Sequence, residues 1–330
     1  FAANFLAVGQ DGRAPLDYPF VYVPEVNTGV HSGHDLDRDG TITRTPGSRA
    51  YGGDAFGYGE YPGQYGLAVL SRVPIDFQGI RTFRLFRWKD LPDARLPDDW
   101  YPDAALDALR LSSKTHADIP IVFAGTTVHF LVSHPTPPTF DGPEDRNGRR
   151  NHDEIRFWEL YVGDGSGNWI VDDAGRRGGL GARPFVIAGD LNADPHDGDS
   201  SGGAINRLLA HPRVQDSPVP ASPGGAEQAQ LQGGPNLAHR GDPAHDTADF
   251  GEGGAGNLRV DYVLPSRELP IVAGGVFWPL ASDPLFRLVG TYPFPVSDHR
   301  LVWVDVDIGA PAKDPEPCKC ASTASATATP

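Results

Sequence analysis

The sequence predicts an α/β or α+β fold with paired β-sheets at its centre. Strand-like segments outnumber helix-like segments, and loops of mixed length connect them. An apolar fraction of 39% over 330 residues suits one large domain. A chain of this length buries about three quarters of its unfolded surface on folding, so the core needs no disulfide or structural metal.

Five segments have the composition of strands. Residues 66–72 form a short apolar run, and residues 126–133 alternate and are rich in β-branched and aromatic side chains. Residues 185–188 are apolar on both faces, which is typical of a central strand. Residues 258–264 and 301–306 are the remaining candidates. These segments predict a sheet that is covered on both faces at its middle.

Residues 149–162 have the spacing of an amphipathic helix. The apolar stripe of Ile155, Trp158, Tyr161 and Val162 repeats at helical intervals. We interpret this stripe as core packing, because that is the usual role of such a pattern.

Three segments have the composition of loops or tails. Residues 27–65 are rich in Gly and Asp, and residues 216–257 are rich in Pro, Gly and Ala. Residues 310–330 combine Pro with Ser, Thr and Ala repeats and cannot bury enough apolar surface to become ordered. We therefore predict a domain over residues 1–309 and a disordered tail over residues 310–330.

The charge and the cysteine content restrict the function. Lys and Arg number 28 against 43 Asp and Glu, and the net charge of −15 argues against a processive nuclease. No apolar run reaches the roughly 18 residues of a membrane span. The two cysteines, Cys318 and Cys320, are too close for an unstrained disulfide and too few for a zinc site. A core without cysteine fits secretion, so we expect an extracellular or periplasmic monomer.

Polar clusters lie at the ends of several predicted strands, where a rigid scaffold presents side chains to a cleft. The clusters are Ser133-His134-Pro135, Gly189-Asp190-Leu191-Asn192, Arg259-Val260-Asp261-Tyr262 and Ser297-Asp298-His299. Each one alone has a plain structural explanation, such as an Asx turn or a strand cap. Their joint occurrence in this order indicates chemistry on a phosphoester.

Phosphoester hydrolysis requires a hard cation, a base for water and donors to the phosphoryl oxygens. Asp190 and Asp298 offer the oxygen ligands that Mg²⁺ prefers. His299 is the candidate base, because histidine titrates near neutral pH, and Asp261 can orient its imidazole. The two remaining candidates, suited to contact phosphate or leaving-group oxygens, are Asn192 and His134.

The order of these clusters resembles the endonuclease/exonuclease/phosphatase superfamily, which includes DNase-like nucleases, exonuclease III-like repair nucleases, sphingomyelinases and inositol-polyphosphate phosphatases. The GDLN and SDH segments are the most specific part, and the stretch HFLVSHPTPPTFDGPEDRNGRRNHDEIRFW is similar to a bacterial subgroup. The resemblance covers residues 1–308 and implies a four-layer sandwich of two mixed β-sheets flanked by helices. The roles that it implies are phosphate contacts for Asp190 and Asn192, metal binding for Asp298, a base or phosphate contact for His299 with Asp261 as its partner, and a second histidine at His134.

The family pattern also contains a metal-binding Glu and an Asn on early strands, and neither strand is present in this sequence. Phe1 is not an initiator residue and the chain contains no Met. We therefore expect the first strands to be missing and residues 1–330 alone to be nearly inactive. Glu25 is the one early Glu near a strand, and its sequence context is that of a loop.

Two features have alternative explanations. Arg149 and Arg150, with Arg146 nearby, form either a clamp for a substrate phosphate or a solvated helix start. Residues 35–40, DLDRDG, match the first half of a calcium loop, but Pro46 stands where the bidentate Glu belongs. We prefer an acidic surface turn for this segment.

The sequence thus predicts a hydrolase of phosphodiesters or phosphomonoesters that uses Mg²⁺, with Mn²⁺ or Ca²⁺ as alternatives. The substrate, whether nucleic acid, phospholipid or a small phosphoester, stays open because specificity resides in loops. The competing hypothesis is a non-catalytic secreted domain of the same fold that binds calcium or a partner through residues 27–65.

Overall fold

A mixed five-stranded β-sheet forms the centre of the computed structural model, which describes residues 1–163, 167–251 and 253–309. The predicted tail over residues 310–330, with its two cysteines, lies outside the described residues. The strands are β1 (Phe20–Tyr22), β2 (Val69–Ser71), β3 (Arg81–Thr82), β4 (His116–Phe123), β5 (Thr126–Ser133), β6 (Phe185–Asp190), β7 (Ala248–Asp249), β8 (Asn257–Leu258), β9 (Asp261–Pro265), β10 (Ile271–Phe277) and β11 (Leu301–Val306).

Helices occupy less of the described chain than its strands and loops. The α-helices are α1 (Arg49–Gly53), α2 (Asp103–Ala108), α3 (Arg146–Tyr161), α4 (Ala204–Leu209) and α5 (Pro223–Gln232). A π-helical turn covers Ala2–Leu6, and 3₁₀ turns cover Trp88–Asp90, Gly234–Ala238, Pro243–His245 and Pro284–Leu288. Within the described ranges, no helix combines the length and the apolar character that crossing a bilayer requires.

The strand order of the central sheet is β3-β4-β5-β6-β9. β5 and β6 pair in parallel, whereas the other pairings of this sheet are antiparallel. A parallel pair needs a long crossover, and here the crossover contains α3. The predicted α/β class is confirmed, with a mixed sheet and flanking helices.

Alternate residues of the central strands pack on opposite faces of the sheet. Leu131 of β5 and Ile187 of β6 are fully buried in the larger core, together with Trp158 of α3. Val132 and Val186 belong to the opposite face, where they pack with residues of β1, β2 and β11. The antiparallel pairs β1–β2 and β10–β11 therefore add a layer of strands on the side of the sheet away from α3.

Several predicted elements have the expected bounds and others do not. Strands 126–133 and 301–306 are observed as predicted, and the predicted helix begins three residues earlier, at Arg146. The earlier start is stabilised by Asp141, whose carboxylate accepts a hydrogen bond from the Asn147 amide at 2.6 Å.

The prediction of a loop over residues 216–257 was wrong in part, because this segment contains α5. The side chain of Ser222 caps α5 by accepting a hydrogen bond from the Gly225 amide, and Pro stands in its first turn. Five observed strands, β1, β3, β4, β7 and β10, lie outside the predicted strand segments. The predicted strand 258–264 is observed as two strands, β8 and β9, divided after Leu258.

Candidate active site

The predicted site residues lie at one edge of the central sheet. Parallel strands end at the same edge, so the C-terminal ends of β5 and β6 place His134 and Asp190 side by side. β9 runs in the opposite direction and begins there, with Asp261 paired opposite Asp190. His299 lies two residues before β11 and is bridged to Ala248 of β7. Residues far apart in the chain are therefore brought together by strand register.

Asp190 lies between the two histidines. Its Oδ2 atom is 3.3 Å from Nε2 of His134 and 3.9 Å from Nε2 of His299. The Nδ1 atom of His299 is 2.8 Å from Oδ2 of Asp261. Asp261 can therefore fix the tautomer and the orientation of this imidazole, with the Nε2 atom of His299 left on the side of Asp190.

Asn192 lies in a turn that its own neighbours stabilise. It adopts a left-handed conformation with φ of 51°, which asparagine tolerates better than most residues. Its backbone amide donates to Oδ1 of Asp190 at 2.8 Å, and its Nδ2 atom donates to the carbonyl of Pro135 at 3.1 Å. The structure therefore contains the Asx turn, and this same turn brings Asn192 beside the residue that follows His134.

Burial and local charges shift the pKa values of the two histidines in opposite directions. Burial lowers the pKa of His134 far below its usual value, and the neighbouring Lys114 and His299 add to this effect. Burial also opposes protonation of His299, but its hydrogen bond to Asp261 and the nearby carboxylates outweigh that effect and raise its pKa to about 9. Burial and the charge of Asp261 raise the pKa of Asp190 to about 7.

Lys114 is a buried cation at this site that the sequence did not reveal. Its Nζ atom donates to the carbonyl of Pro135 at 3.1 Å, the acceptor that Asn192 also uses. Burial lowers the pKa of Lys114 to about 8, against the opposing charges of Glu154 and Asp190. A single Lys before a strand carries no signal by itself, and only the tertiary structure shows that it faces these carboxylates.

Glu154 of α3 joins the loops on either side of the site. One carboxylate oxygen accepts a hydrogen bond from the Ser113 amide, and the other accepts one from the Thr136 amide, both at 2.6 Å. These amides flank Lys114 and His134 in the chain. Glu154 is 1% exposed, so this buried carboxylate connects the two loops inside the protein.

The ligand atoms of Asp190, Asp261 and His299 lie within 4.8 Å of one another. The side chain of Asp298 is exposed, and Asp298 is not a member of this group of three. Its backbone carbonyl accepts a hydrogen bond from the Asp249 amide at 2.9 Å. Of the two predicted metal ligands, Asp298 adjoins His299 in the sequence, but only Asp190 lies within this group.

The two predicted substrate arginines differ in environment. The guanidinium of Arg150 is buried and donates to the carbonyls of Leu111, Phe56 and Arg110. Arg149 is partly exposed and donates to the carbonyl of Leu96 at 3.3 Å. In this arrangement Arg150 stabilises the loops that precede β4, whereas Arg149 has contact with solvent.

The N-terminal loops contain two acidic features, a single Glu in an ion pair and a group of three Asp residues. Glu25 pairs with Arg84 at 2.7 Å, and its side chain is 82% exposed. Asp35, Asp37 and Asp39 form a second group of carboxylates within 4.8 Å. Each of these three accepts a hydrogen bond from a backbone amide between residues 39 and 41, as in an acidic turn.

The chain matches a family model described as the Endonuclease/Exonuclease/phosphatase family over residues 11–299. No curated protein sequence matches it. A solved endonuclease/exonuclease/phosphatase family protein from Leptotrichia buccalis C-1013-b is similar, with 15% identity, a TM-score of 0.42 and coverage of 88% of this chain and 71% of that one.

Two further solved structures are similar at low identity. Sphingomyelinase C from Streptomyces griseocarneus has 15% identity, a TM-score of 0.36 and coverage of 87% of this chain and 74% of that one. The 3′ phosphatase NExo from Neisseria, bound to product DNA hairpin, has 18% identity, a TM-score of 0.35 and coverage of 73% and 75%.

Proposed function

The chain belongs to the endonuclease/exonuclease/phosphatase family, and from this premise we propose that it is a metal-dependent phosphoesterase. Members of this family are hydrolases that act on phosphoester bonds. The observation that supports the proposal is the position of Asp190 Oδ2 between the Nε2 atoms of His134 and His299. Asp261 contacts the other ring nitrogen of His299, Nδ1.

The arrangement offers both a proton donor and a proton acceptor. Hydrolysis of a phosphoester needs an acceptor for the proton of water and a donor for the leaving oxygen. His299 retains its proton near neutral pH, and His134 is neutral. Groups whose environments separate their pKa values in this way can divide the acid and base roles. For His299 to act as the base that the family resemblance implies, it must first lose its proton when substrate and cation bind.

The donor set suits a hard divalent cation. We propose that Asp190 binds Mg²⁺, with Asp298 as the second carboxylate and Mn²⁺ or Ca²⁺ as alternative ions. When bound, the cation would neutralise charge on the phosphoryl oxygens. Lys114 is buried beside this group, and its charge partly compensates the carboxylates there.

The remaining residues are assigned to binding. Asn192 can donate to a phosphoryl oxygen if its Nδ2 atom exchanges the carbonyl of Pro135 for substrate. Arg149 is the better of the two predicted arginine clamps, because Arg150 is occupied by three carbonyl groups. The substrate is a phosphodiester or phosphomonoester, and the net charge of −15 favours one that is not a long polyanion.

The proposal is tested by incubating the full-length protein with plasmid DNA, RNA, sphingomyelin and bis(p-nitrophenyl) phosphate, each with Mg²⁺, Mn²⁺ or Ca²⁺ and with EDTA. We expect hydrolysis of at least one substrate that depends on the cation and is lost in Asp190→Asn. The matched control is Asp93→Asn, because the carboxylate of Asp93 is 95% exposed and pairs with Arg156, which has no role in the proposed site. No hydrolysis of any substrate, with any of the three ions, would contradict the proposal.

The acidic turn at residues 35–39 supports a second candidate function, calcium binding by a domain of the same fold. Its three carboxylates lie close enough to surround one ion. Calcium titration followed by calorimetry distinguishes the two functions, because the phosphoesterase does not require this turn.

A further inference from the structure

The short strand β7 lies between two segments of the chain, one that contains Asp261 and one that contains His299. On one side β7 pairs with β8, and the chain then continues directly into β9 and Asp261. On the other side Ala248 is bridged to His299. Thr247 and Ala248 together therefore contact both partners of the pair, which are 38 residues apart in sequence.

The hydroxyl of Thr247 holds the start of β9. Its Oγ1 atom accepts hydrogen bonds from the amide of Val260 at 3.0 Å and from the amide of Asp261 at 2.9 Å. Its own backbone amide donates to the carbonyl of Leu258 at 2.9 Å. Thr247 is 1% exposed, so water cannot replace the hydroxyl as the acceptor for these two amides.

The backbone of the same residue holds the segment that contains His299. The carbonyl of Thr247 accepts a hydrogen bond from the amide of Arg300 at 2.7 Å, and the amide of Asp249 donates to the carbonyl of Asp298 at 2.9 Å. The residues before and after His299 are thus both fixed to the β7 segment. The imidazole has little freedom to change its position relative to Asp261.

Other contacts orient the same segment. The guanidinium of Arg300 donates to the carbonyl of Ser297 at 2.9 Å, and Phe250 packs edge-on against the ring of His299 at 5.8 Å between centroids. These groups restrict the loop and the ring, but they do not contact Asp261. Among the described residues that surround the pair, Thr247 is bonded both to the start of β9 and to the segment that contains His299.

We propose that Thr247 is a positioning residue that fixes the distance and angle between His299 and Asp261. This inference rests on the proposed function, because it assigns Thr247 a role in the same reaction. The side chain contributes through its hydroxyl, which accepts two amides at the start of β9, and the backbone contributes through Arg300. Thr247 itself does not contact the substrate.

The test compares Thr247→Val, which keeps the shape and removes the hydroxyl, with Thr247→Ser, which keeps the hydroxyl. We expect Thr247→Val to lower kcat by about a hundredfold, because small misplacements of catalytic groups have effects of this size. KM should change by less than about twofold, since substrate binding groups are untouched. Thr247→Ser should retain most of the activity. Thr127→Val is the matched control, because Thr127 is an exposed threonine of β5.

A second readout does not require activity. The proton shared by Nδ1 of His299 and Asp261 should give a low-field ¹H resonance that disappears in His299→Gln. We expect this resonance to shift or broaden in Thr247→Val and to be retained in Thr247→Ser and Thr127→Val. A shifted resonance in a protein that hydrolyses no phosphoester would preserve the positioning role and reject the proposed function.

Three results would overturn the inference. An unchanged kcat and resonance in Thr247→Val would show that the hydroxyl does not matter. A loss in Thr247→Ser as large as in Thr247→Val would show that the methyl group and its packing are responsible instead. A fall in activity through KM alone would indicate an effect on substrate binding. If Thr247→Val does not fold, Thr247→Ala removes the same hydroxyl with a smaller side chain, and Thr247→Ser still decides between hydroxyl and methyl.

Discussion

The buried carboxyl group of Asp246 should make the protein less stable as the pH rises through neutrality. Asp246 is 7% exposed and follows the 3₁₀ turn Pro243–His245. Burial, with added repulsion from Asp194, Asp197 and Asp242, raises its pKa from 3.8 to about 8. The folded protein therefore retains this proton at pH values where the unfolded chain has released it.

The sign and size of the effect follow from proton linkage. A group whose folded pKa is raised contributes stability that is fully present below the unfolded pKa and is lost as the pH rises to the folded value. For Asp246 this interval runs from 3.8 to about 8. Each pH unit inside the interval corresponds to about 1.4 kcal/mol, so over the two units between pH 5 and pH 7 the group alone should remove about 3 kcal/mol.

The perturbation that isolates this contribution is Asp246→Asn. Denaturant unfolding at pH 5 and pH 7 gives the change in free energy of unfolding for each protein. We expect that change to differ by about 3 kcal/mol between the wild type and Asp246→Asn, with the variant gaining relative stability at pH 7. Asp98→Asn, which alters an exposed carboxylate, is the control and should follow the wild type. Parallel pH dependence in Asp246→Asn and the wild type would refute the reasoning, because it would mean that this carboxyl titrates normally in the fold.

Three further predictions concern the site and the acidic turn. His299→Gln should lower kcat by about a hundredfold to ten-thousandfold, whereas Arg149→Ala should mainly raise KM, and steady-state kinetics on the best substrate distinguish the two. Asp261→Asn should leave the far-UV circular dichroism unchanged and still lower kcat, because an amide can present the wrong group to Nδ1 of His299; an unaltered kcat would contradict the pairing seen at 2.8 Å. Calcium should raise the melting temperature no more than magnesium does if residues 35–40 form only an acidic turn, and a large calcium-specific rise in a thermal scan would contradict this preference.

Much of the central sheet could be predicted because its strands have regular patterns. β5 alternates between two buried faces, and β6 is apolar on both, so their sequences alone indicate strands. β4 was missed because its buried side chains include polar residues. Asp118 accepts hydrogen bonds from Tyr161 at 2.6 Å and contacts Nδ1 of His129 at 2.6 Å, and such pairs are visible only after folding.

The site divides in the same way. Five site residues occur in short segments whose chemistry can be recognised from the sequence. The structure brings all five to one sheet edge: His134, Asp190, Asn192, Asp261 and His299. The supporting residues were not predictable in this manner. Lys114, Glu154 and Thr247 act through backbone groups of other segments, and a sequence does not show which carbonyl or amide a side chain will meet.

α5 was missed for a different reason. Its sequence, PGGAEQAQLQ, begins with Pro and two Gly residues and has no clear apolar stripe. The helix forms because Ser222 caps its start and because Gly224 fits against the carbonyls of Trp278 and Pro279, where any side chain would collide. Residues that look like a loop in sequence are here required by close packing.

The parallel pairing of β5 with β6 has a consequence for the time course of folding. Residues 134–184 must be enclosed in a closed loop before Asp190 can meet His134, and β11 must then dock before His299 joins them. Contacts between segments this distant in sequence form slowly compared with local hairpins such as β4–β5. During synthesis the site also cannot form until the chain has been made as far as His299. Partly synthesised chains are therefore expected to be without hydrolytic activity, which delays the chemistry until the fold is nearly complete.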